Sequence, residues 1–186
     1  ARGTFESPGV GKVGDPFVAA LRHRLPDRSI GVYAVDYPAS LQFGRAAEGV
    51  LDASAHLRDL AATCPTTDVV VGGYSQGAAV SGYVTSATVP AGYALTPLPP
   101  DVTGAIVAVV LFGSPSPDVL RLLHHDAPPI VIGPAFDDKI LDLCSPGDPV
   151  CAPGGFDRAA HSAYADNGMT EEAADFVADR LARRTR

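Results

Sequence analysis

Two stretches of the chain are apolar at nearly every position, and helical spacing dominates much of what lies between and around them. The longer, Ala105-Ile106-Val107-Ala108-Val109-Val110-Leu111-Phe112-Gly113, has no polar face. That predicts a strand buried on both sides, as in a parallel sheet. The shorter, Asp68-Val69-Val70-Val71-Gly72, is β-branched and predicts another strand. Residues 29–37, rich in Ile, Val and Tyr and stopped by Pro38, predict a third, and residues 139–144 a fourth. Asp15 and Pro16 read as an N-cap and first-turn pair, after which Phe17, Ala20, Leu21 and Leu25 recur at helical spacing. Residues 45–62 predict a helix with Ala47, Val50, Leu51, Ala55, Leu57 and Leu60 toward one side. A closing helix is predicted over 169–183, with Thr170 as N-cap, Glu171 and Glu172 in its first turn, and Ala173, Phe176, Val177 and Leu181 on one face. Strands alternating with helices predict an α/β fold: a doubly wound, mainly parallel central sheet flanked by helices. No repeat or low-complexity linker divides the 186 residues, so residues 1–186 are read as one domain.

Composition narrows the possible roles. Hydrophobic residues make up 46% and charged residues 19%, as in a globular protein. No apolar run approaches the roughly 20 residues needed to cross a bilayer, so no stable membrane insertion is expected. The net charge is −7, and no Lys/Arg cluster precedes the final Arg183-Arg184-Thr185-Arg186. Nucleic acid is therefore not an expected partner, because nothing offers a phosphate-neutralising face. A monomer is expected.

The segment Cys144-Ser-Pro-Gly-Asp-Pro-Val-Cys151 is rich in turn formers, so its ends can meet and bridge. A disulfide here implies an oxidising compartment, hence secretion, with any leader removed or lying outside the sequence. A metal site is the competing reading, but three cysteines without a nearby histidine pair argue against it.

The chemistry centres on Gly73-Tyr74-Ser75-Gln76-Gly77, which follows the β-branched run and precedes the small residues Ala78-Ala79-Val80-Ser81-Gly82. A G-x-S-x-G between a strand and a helix start is the context of a nucleophile elbow, with the serine on a sharp turn above helical N–H groups. A serine hydroxyl attacks only when a neutral imidazole takes its proton and a carboxylate fixes the imidazole tautomer. In this fold class the chain order is nucleophile, acid, histidine, which excludes His23 and His56. Of His124, His125 and His161, the first two sit at the predicted end of a short helix, whereas His161 lies in the irregular segment 154–166. The candidate acids are Asp142, Asp148 and Asp157, which spacing alone does not separate; Asp148 has the advantage of lying inside the ring closed by Cys144 and Cys151.

Four motifs now stand in order: Ala-Arg-Gly-Thr at residues 1–4, Gly-Tyr-Ser-Gln-Gly at the elbow, Cys-x₃-Asp-x₂-Cys, and His-x-x-Tyr at 161–164. Together they resemble the cutinases over essentially the whole chain, especially the secreted cutinase-like esterases of mycobacteria and their relatives. The resemblance implies a small lidless α/β-hydrolase with Ser75 as nucleophile, Asp148 as acid and His161 as base. It also implies an oxyanion hole made by Thr4 and Gln76. Loops near 37–41 and 154–156 are expected by similarity to rim the cleft, with Leu41 and Phe156 as acyl-chain contacts and residues 91–100 as a flap or a stiff surface loop. Cutinases carry a first strand, and a cysteine paired with the equivalent of Cys64, ahead of the Ala-Arg-Gly motif. Neither is in this sequence, so that strand is expected to have been lost or omitted, with a buried, unpaired Cys64 thiol as the alternative and the position of Thr4 left in doubt.

The reading is a secreted serine esterase that hydrolyses carboxylic esters of short- to medium-chain acyl groups through an acyl-enzyme on Ser75, with a small-molecule or lipid ester as substrate. Activity is expected to fall below about pH 6.5, because a protonated imidazole cannot accept the serine proton. The alternatives are a phospholipase or thioesterase using the same triad, a polysaccharide deacetylase-type esterase, and a catalytically idle lipid- or wall-binding protein. No metal or organic cofactor is implied, since side chains can carry all of the chemistry.

Overall fold

A computed structural model describes residues 1–88, 96–125 and 127–184. Three parallel strands form its sheet, in the order β1 (Val69–Tyr74), β2 (Ile106–Phe112) and β3 (Ile140–Leu143). Every residue of β2 is buried, as its unbroken apolar run requires of a central strand with helices on both faces. Ile106, Val109 and Leu111 pack with α2 (Ala46–Thr63) and α3 (Gln76–Val84); Ala108, Val110 and Phe112 pack with α1 (Gly11–Arg24) and α7 (Met169–Arg184). The chain is thus wound over both faces of a parallel sheet. Shorter helices α4 (Pro100–Ala105), α5 (Pro117–Leu123) and α6 (Arg158–Ser162) complete the described elements, with 3-10 turns at Phe43–Arg45, Pro134–Phe136 and Ala163–Ala165.

The register aligns the carboxyl ends of all three strands. Tyr74 lies beside Phe112, and Phe112 beside Leu143. The segments that leave these ends therefore begin at one edge of the sheet, which is where ligands bind in open α/β sheets.

Several elements differ from the pattern-based expectation, each for a local reason. The first helix begins at Gly11 rather than at Asp15, with Pro16 inside it and no side-chain bond from its N-cap, Val10. The Glu6 carboxylate, outside the helix, accepts the Lys12 N–H (3.0 Å) and so supplies a first-turn partner from a distance. On α2 the inward face is Ala46, Gly49, Val50, Ala53, Ser54 and Leu57, while Leu51 is exposed. In α7 Thr170 is not the cap. It lies buried in the first turn, and Asn167 Oδ1 instead accepts the Met169 N–H (3.2 Å).

The predicted strand over 29–37 has no ladder partner among the described residues. Its anchors are side chains of α2: Tyr33 donates its hydroxyl to Asp52, the Asp36 N–H reaches Asp52 Oδ2 (2.9 Å), and the Tyr33 ring stacks on His56 at 3.5 Å. A cavity of about 850 Å³, lined by Ile30, Val32, Val35, Val69 and Val71 among others, lies between this segment and β1. A strand cannot hydrogen-bond across such a gap. At one end of the β1 edge the Ala1 nitrogen donates to Gly72 O (2.6 Å) and the Tyr74 N–H to Ala1 O (3.1 Å), the bond pair of a parallel bridge.

Cys64, at the C-cap of α2, is unpaired among the described residues and exposed, not a buried thiol. Residues 91–95 of the expected flap lie outside the described residues, and Pro100 opens α4. No helix among the described residues is long and apolar enough to cross a membrane.

Candidate active site

Ser75 occupies the corner between β1 and α3, with φ 54° and ψ −115°. A non-glycine residue at positive φ is strained and persists only where its surroundings over-determine it. Here the Ser75 N–H donates to Phe112 O (2.9 Å), and Ser75 O accepts from the Ala78 N–H (2.9 Å), which locks the corner to the neighbouring strand and to the helix below. The two glycines of the motif are required by close approach. A Cβ on Gly73 would lie 2.0 Å from Gly77 O, and one on Gly77 would lie 2.1 Å from Ala1 O.

His161 does not lie in a loop but on the single-turn helix α6. Asp157 caps that turn by accepting the Ala159 N–H (2.9 Å), which takes it out of contention as the acid. Asp142 is an exposed residue of β3 and makes no contact with the imidazole among the described hydrogen bonds. Asp148, fully buried, is the acid that reaches the imidazole. Its Oδ2 lies 2.8 Å from His161 Nδ1, and His161 Nε2 lies 2.9 Å from Ser75 Oγ. The ring that carries Asp148 is closed as its spacing suggested: Cys144 and Cys151 are bridged, with Cα atoms 5.8 Å apart.

The buried carboxylate is fully partnered. Oδ1 accepts the Val150 N–H (2.8 Å), and Oδ2 accepts the Tyr164 hydroxyl (2.6 Å) as well as facing the imidazole. Tyr74 donates its hydroxyl to His161 O (2.5 Å) and stacks its ring on the imidazole at 5.1 Å. Burial pushes both phenols, Tyr74 and Tyr164, well above the ordinary tyrosine value. Both therefore remain protonated donors at neutral pH.

Thr4 is held from both sides. Arg2 is buried and donates to the carbonyls of Glu6 (2.9 Å), Val35 (3.2 Å) and Tyr37, while the Tyr37 hydroxyl donates back to Arg2 O. Beyond Thr4, the Phe5 N–H donates to Ala39 O (2.7 Å). Pattern reasoning missed this job for Arg2. The signal was an arginine beside a glycine in the Ala-Arg-Gly-Thr motif. Gln76 opens α3, so its N–H is one of the first-turn amides with no helical partner, and its side chain donates to Ser40 O (2.9 Å). That last bond ties the Leu41 loop to the elbow. Leu41 and Phe156 are both exposed, Phe156 beside Asp157, whose N–H donates to Gly147 O (3.0 Å). Phe5, exposed and at φ 64°, is a third exposed apolar side chain, which the sequence did not single out. His124 instead caps the end of α5. Among the described residues no group of three or more His, Cys, Asp or Glu side chains is placed to hold a metal ion.

A parallel sheet wound on both faces, a strained serine at the end of a strand and an imidazole within bonding distance of it define a serine hydrolase of the α/β-hydrolase type. The family model described as Cutinase matches residues 1–181, and the chain belongs to the cutinase family. Among curated proteins it is 49% identical over 175 residues to "Probable carboxylesterase Culp5" of Mycobacterium tuberculosis, covering 92% of this chain and 98% of that one. It is 45% identical to "Phospholipase Culp4" of the same organism, covering 97% of this chain and 76% of the relative. Among solved structures, a Trichoderma reesei cutinase in complex with a phosphonate inhibitor superposes with a TM-score of 0.70 at 30% identity, over 97% of this chain and 74% of the other. An acetylxylan esterase at 22% identity shares the fold, with a TM-score of 0.76 over 97% and 95% of the two chains. The protein is a carboxylic-ester hydrolase.

Proposed function

We propose that Ser75, His161 and Asp148 are the catalytic triad of a secreted, monomeric esterase acting on short- to medium-chain acyl esters, with residues 1–186 as its hydrolase domain. The observation that carries this reading is the unbroken relay from Ser75 Oγ through both ring nitrogens of His161 to the buried Asp148 carboxylate. Neutral His161 Nε2 takes the proton as Ser75 Oγ attacks the ester carbonyl, and Asp148 holds the opposite N–H and stabilises the imidazolium. The developing oxyanion is received by the Gln76 N–H at the start of α3 and by Thr4, through its backbone N–H and its hydroxyl. The imidazolium then protonates the leaving alcohol, and water enters by the reverse path to release the acid. The Cys144–Cys151 bridge is what supports secretion, since such bonds persist in oxidising compartments.

Replacing Ser75 by Ala tests the assignment. Turnover of p-nitrophenyl butyrate by the folded variant falls by about 10⁴-fold or more, and retention of most activity contradicts the role of Ser75. The phospholipase alternative draws on two observations: one relative carries that name, and Phe5, Leu41 and Phe156 present exposed apolar side chains on loops joined to the site. Comparing kcat/KM for p-nitrophenyl esters, phosphatidylcholine vesicles and an acyl-CoA separates the substrate classes.

A further inference from the structure

His161 and Tyr164 are three residues apart on a helical turn that passes from α6 into the 3-10 turn Ala163–Ala165. Residues three apart share one side of such a turn, and both side chains reach the same oxygen, Asp148 Oδ2, at 2.8 and 2.6 Å. Tyr164 is fully buried, its ring 5.7 Å from Tyr74, 6.1 Å from Phe112 and edge-on to His161 at 6.3 Å. Packing therefore fixes where its hydroxyl sits.

The direction of the tyrosine bond is also fixed. A phenol has one proton to give, a carboxylate has none, and the Tyr164 oxygen already accepts the Ser145 N–H at 2.9 Å. The phenolic proton must point at Asp148. At 2.6 Å the contact has the length of a charge-assisted O–H···O⁻ bond.

From this geometry we infer that Tyr164 is a positioning residue that acts through Asp148, sharing Oδ2 with the imidazole and so setting how strongly that oxygen draws on His161. This rests on the triad reading above. With the hydroxyl in place, the negative charge on Oδ2 is divided between two donors, and the carboxylate plane is held at three points: Val150 N–H, Tyr164 O–H and His161 Nδ1. Without it, Oδ2 faces the imidazole alone. The undivided charge then favours the protonated ring, and the carboxylate is freer to rotate away from the relay.

The other titratable groups around the pair come from separate elements. Tyr74 on β1 contacts His161, Lys12 on α1 lies 5.2 Å over the Tyr74 ring, and Glu6 acts electrostatically on Tyr74. Asp157 caps α6. The α1 and α7 side chains in the same core cluster as Tyr164, among them Val13, Phe17, Ala173 and Ala174, are apolar. None of these changes when a single oxygen is removed from Tyr164.

The test is the pH profile of kcat/KM on p-nitrophenyl butyrate for the wild type, for Tyr164→Phe, and for enzyme carrying 2,3-difluorotyrosine at 164, whose phenol is a stronger donor of nearly the same shape. For Tyr164→Phe the acid limb moves to higher pH by roughly half a unit, kcat falls about tenfold, and KM stays within about twofold. For the fluorinated side chain the limb moves the other way. A residue that merely fills the core would lower the melting temperature of the Phe variant and leave both acid limbs where they are. Coincident profiles for all three proteins overturn the proposal. Labelling of the wild type with a fluorophosphonate distinguishes the two layers: if Ser75 is labelled and the profiles coincide, only the role of Tyr164 falls, whereas an unlabelled Ser75 removes the triad reading and this proposal with it.

Discussion

Replacing Asp148 by Asn keeps the volume of the side chain and changes what it can accept. Three protons converge on the carboxylate: those of Val150 N, Tyr164 Oη and His161 Nδ1, at 2.8, 2.6 and 2.8 Å. A carboxylate is an acceptor only, whereas an amide has one acceptor oxygen and brings two N–H groups of its own. If the amide oxygen takes the Oδ2 position, it still serves Tyr164 and His161, but the NH₂ then meets the Val150 N–H donor to donor. If the amide turns over, the NH₂ points at His161 Nδ1, which must accept, so the ring proton moves to Nε2 and can no longer be replaced by the proton of Ser75. Either arrangement leaves a polar group unpaired at a side-chain position with no solvent exposure, which costs about 1–3 kcal/mol of stability. The second also inverts the tautomer, and catalysis falls by about 10⁴-fold when a triad carboxylate is replaced this way. Initial rates on p-nitrophenyl butyrate give the kinetic effect, and urea unfolding of the same samples gives the stability. A variant that is as stable as the wild type and within tenfold of its kcat refutes the reasoning, since no orientation of the amide satisfies all three donors.

Three further outcomes follow from other parts of the structure. Gly73→Ala places a Cβ within 2.0 Å of backbone that cannot move without opening the elbow, so the variant loses on the order of 3 kcal/mol of stability and its residual folded fraction is slow to label at Ser75; a melt and a labelling time course matching the wild type would contradict the steric account. Reducing Cys144–Cys151, a loop seven residues apart in sequence, costs about 2.5 kcal/mol by loop-closure entropy, and esterase activity falls because the ring carries Asp148; unchanged unfolding and activity in dithiothreitol would show that the ring is held by other contacts. Arg45, Arg180 and Arg24 hold the exposed carboxyls of Glu48, Asp138 and Asp175 below the ordinary carboxylate value, through hydrogen bonds first of all. Their contribution is present above the unfolded carboxylate pKa and is lost as pH falls through the lowered folded values, and salt screening shrinks it; urea midpoints for the triple Arg→Gln variant that match the wild type at neutral pH in low salt would remove it.

The parts of the fold most legible in the sequence are those where burial leaves no choice. β2 is apolar at every position because both of its faces are covered, and Gly73 and Gly77 are glycines because backbone passes within about 2 Å of where their Cβ atoms would be. Ser75 could be placed by its motif, whereas chain order left three histidines and three acids, and only the irregular segment around His161 and the cysteine ring around Asp148 favoured one of each. The structure separates the acids by exposure and partner: Asp142 faces outward, Asp157 caps a helix, and Asp148 is buried against the imidazole. Long-range partnerships left no local mark. Arg2 clamping the carbonyls of Val35 and Tyr37, and Tyr164 bonding Asp148, join residues that no short window brings together. The segment 29–37 has the composition of a strand, but a ladder needs a second backbone, and β-propensity does not say whether one lies alongside.

Whether Ser75 is an activated nucleophile is read by intact-mass spectrometry before and after treatment with a fluorophosphonate, with the modified peptide mapped. One adduct per chain forms, on Ser75, and it is abolished by Ser75→Ala and strongly slowed by His161→Ala. A folded protein that acquires no adduct, or acquires it at another residue, would contradict that role of Ser75.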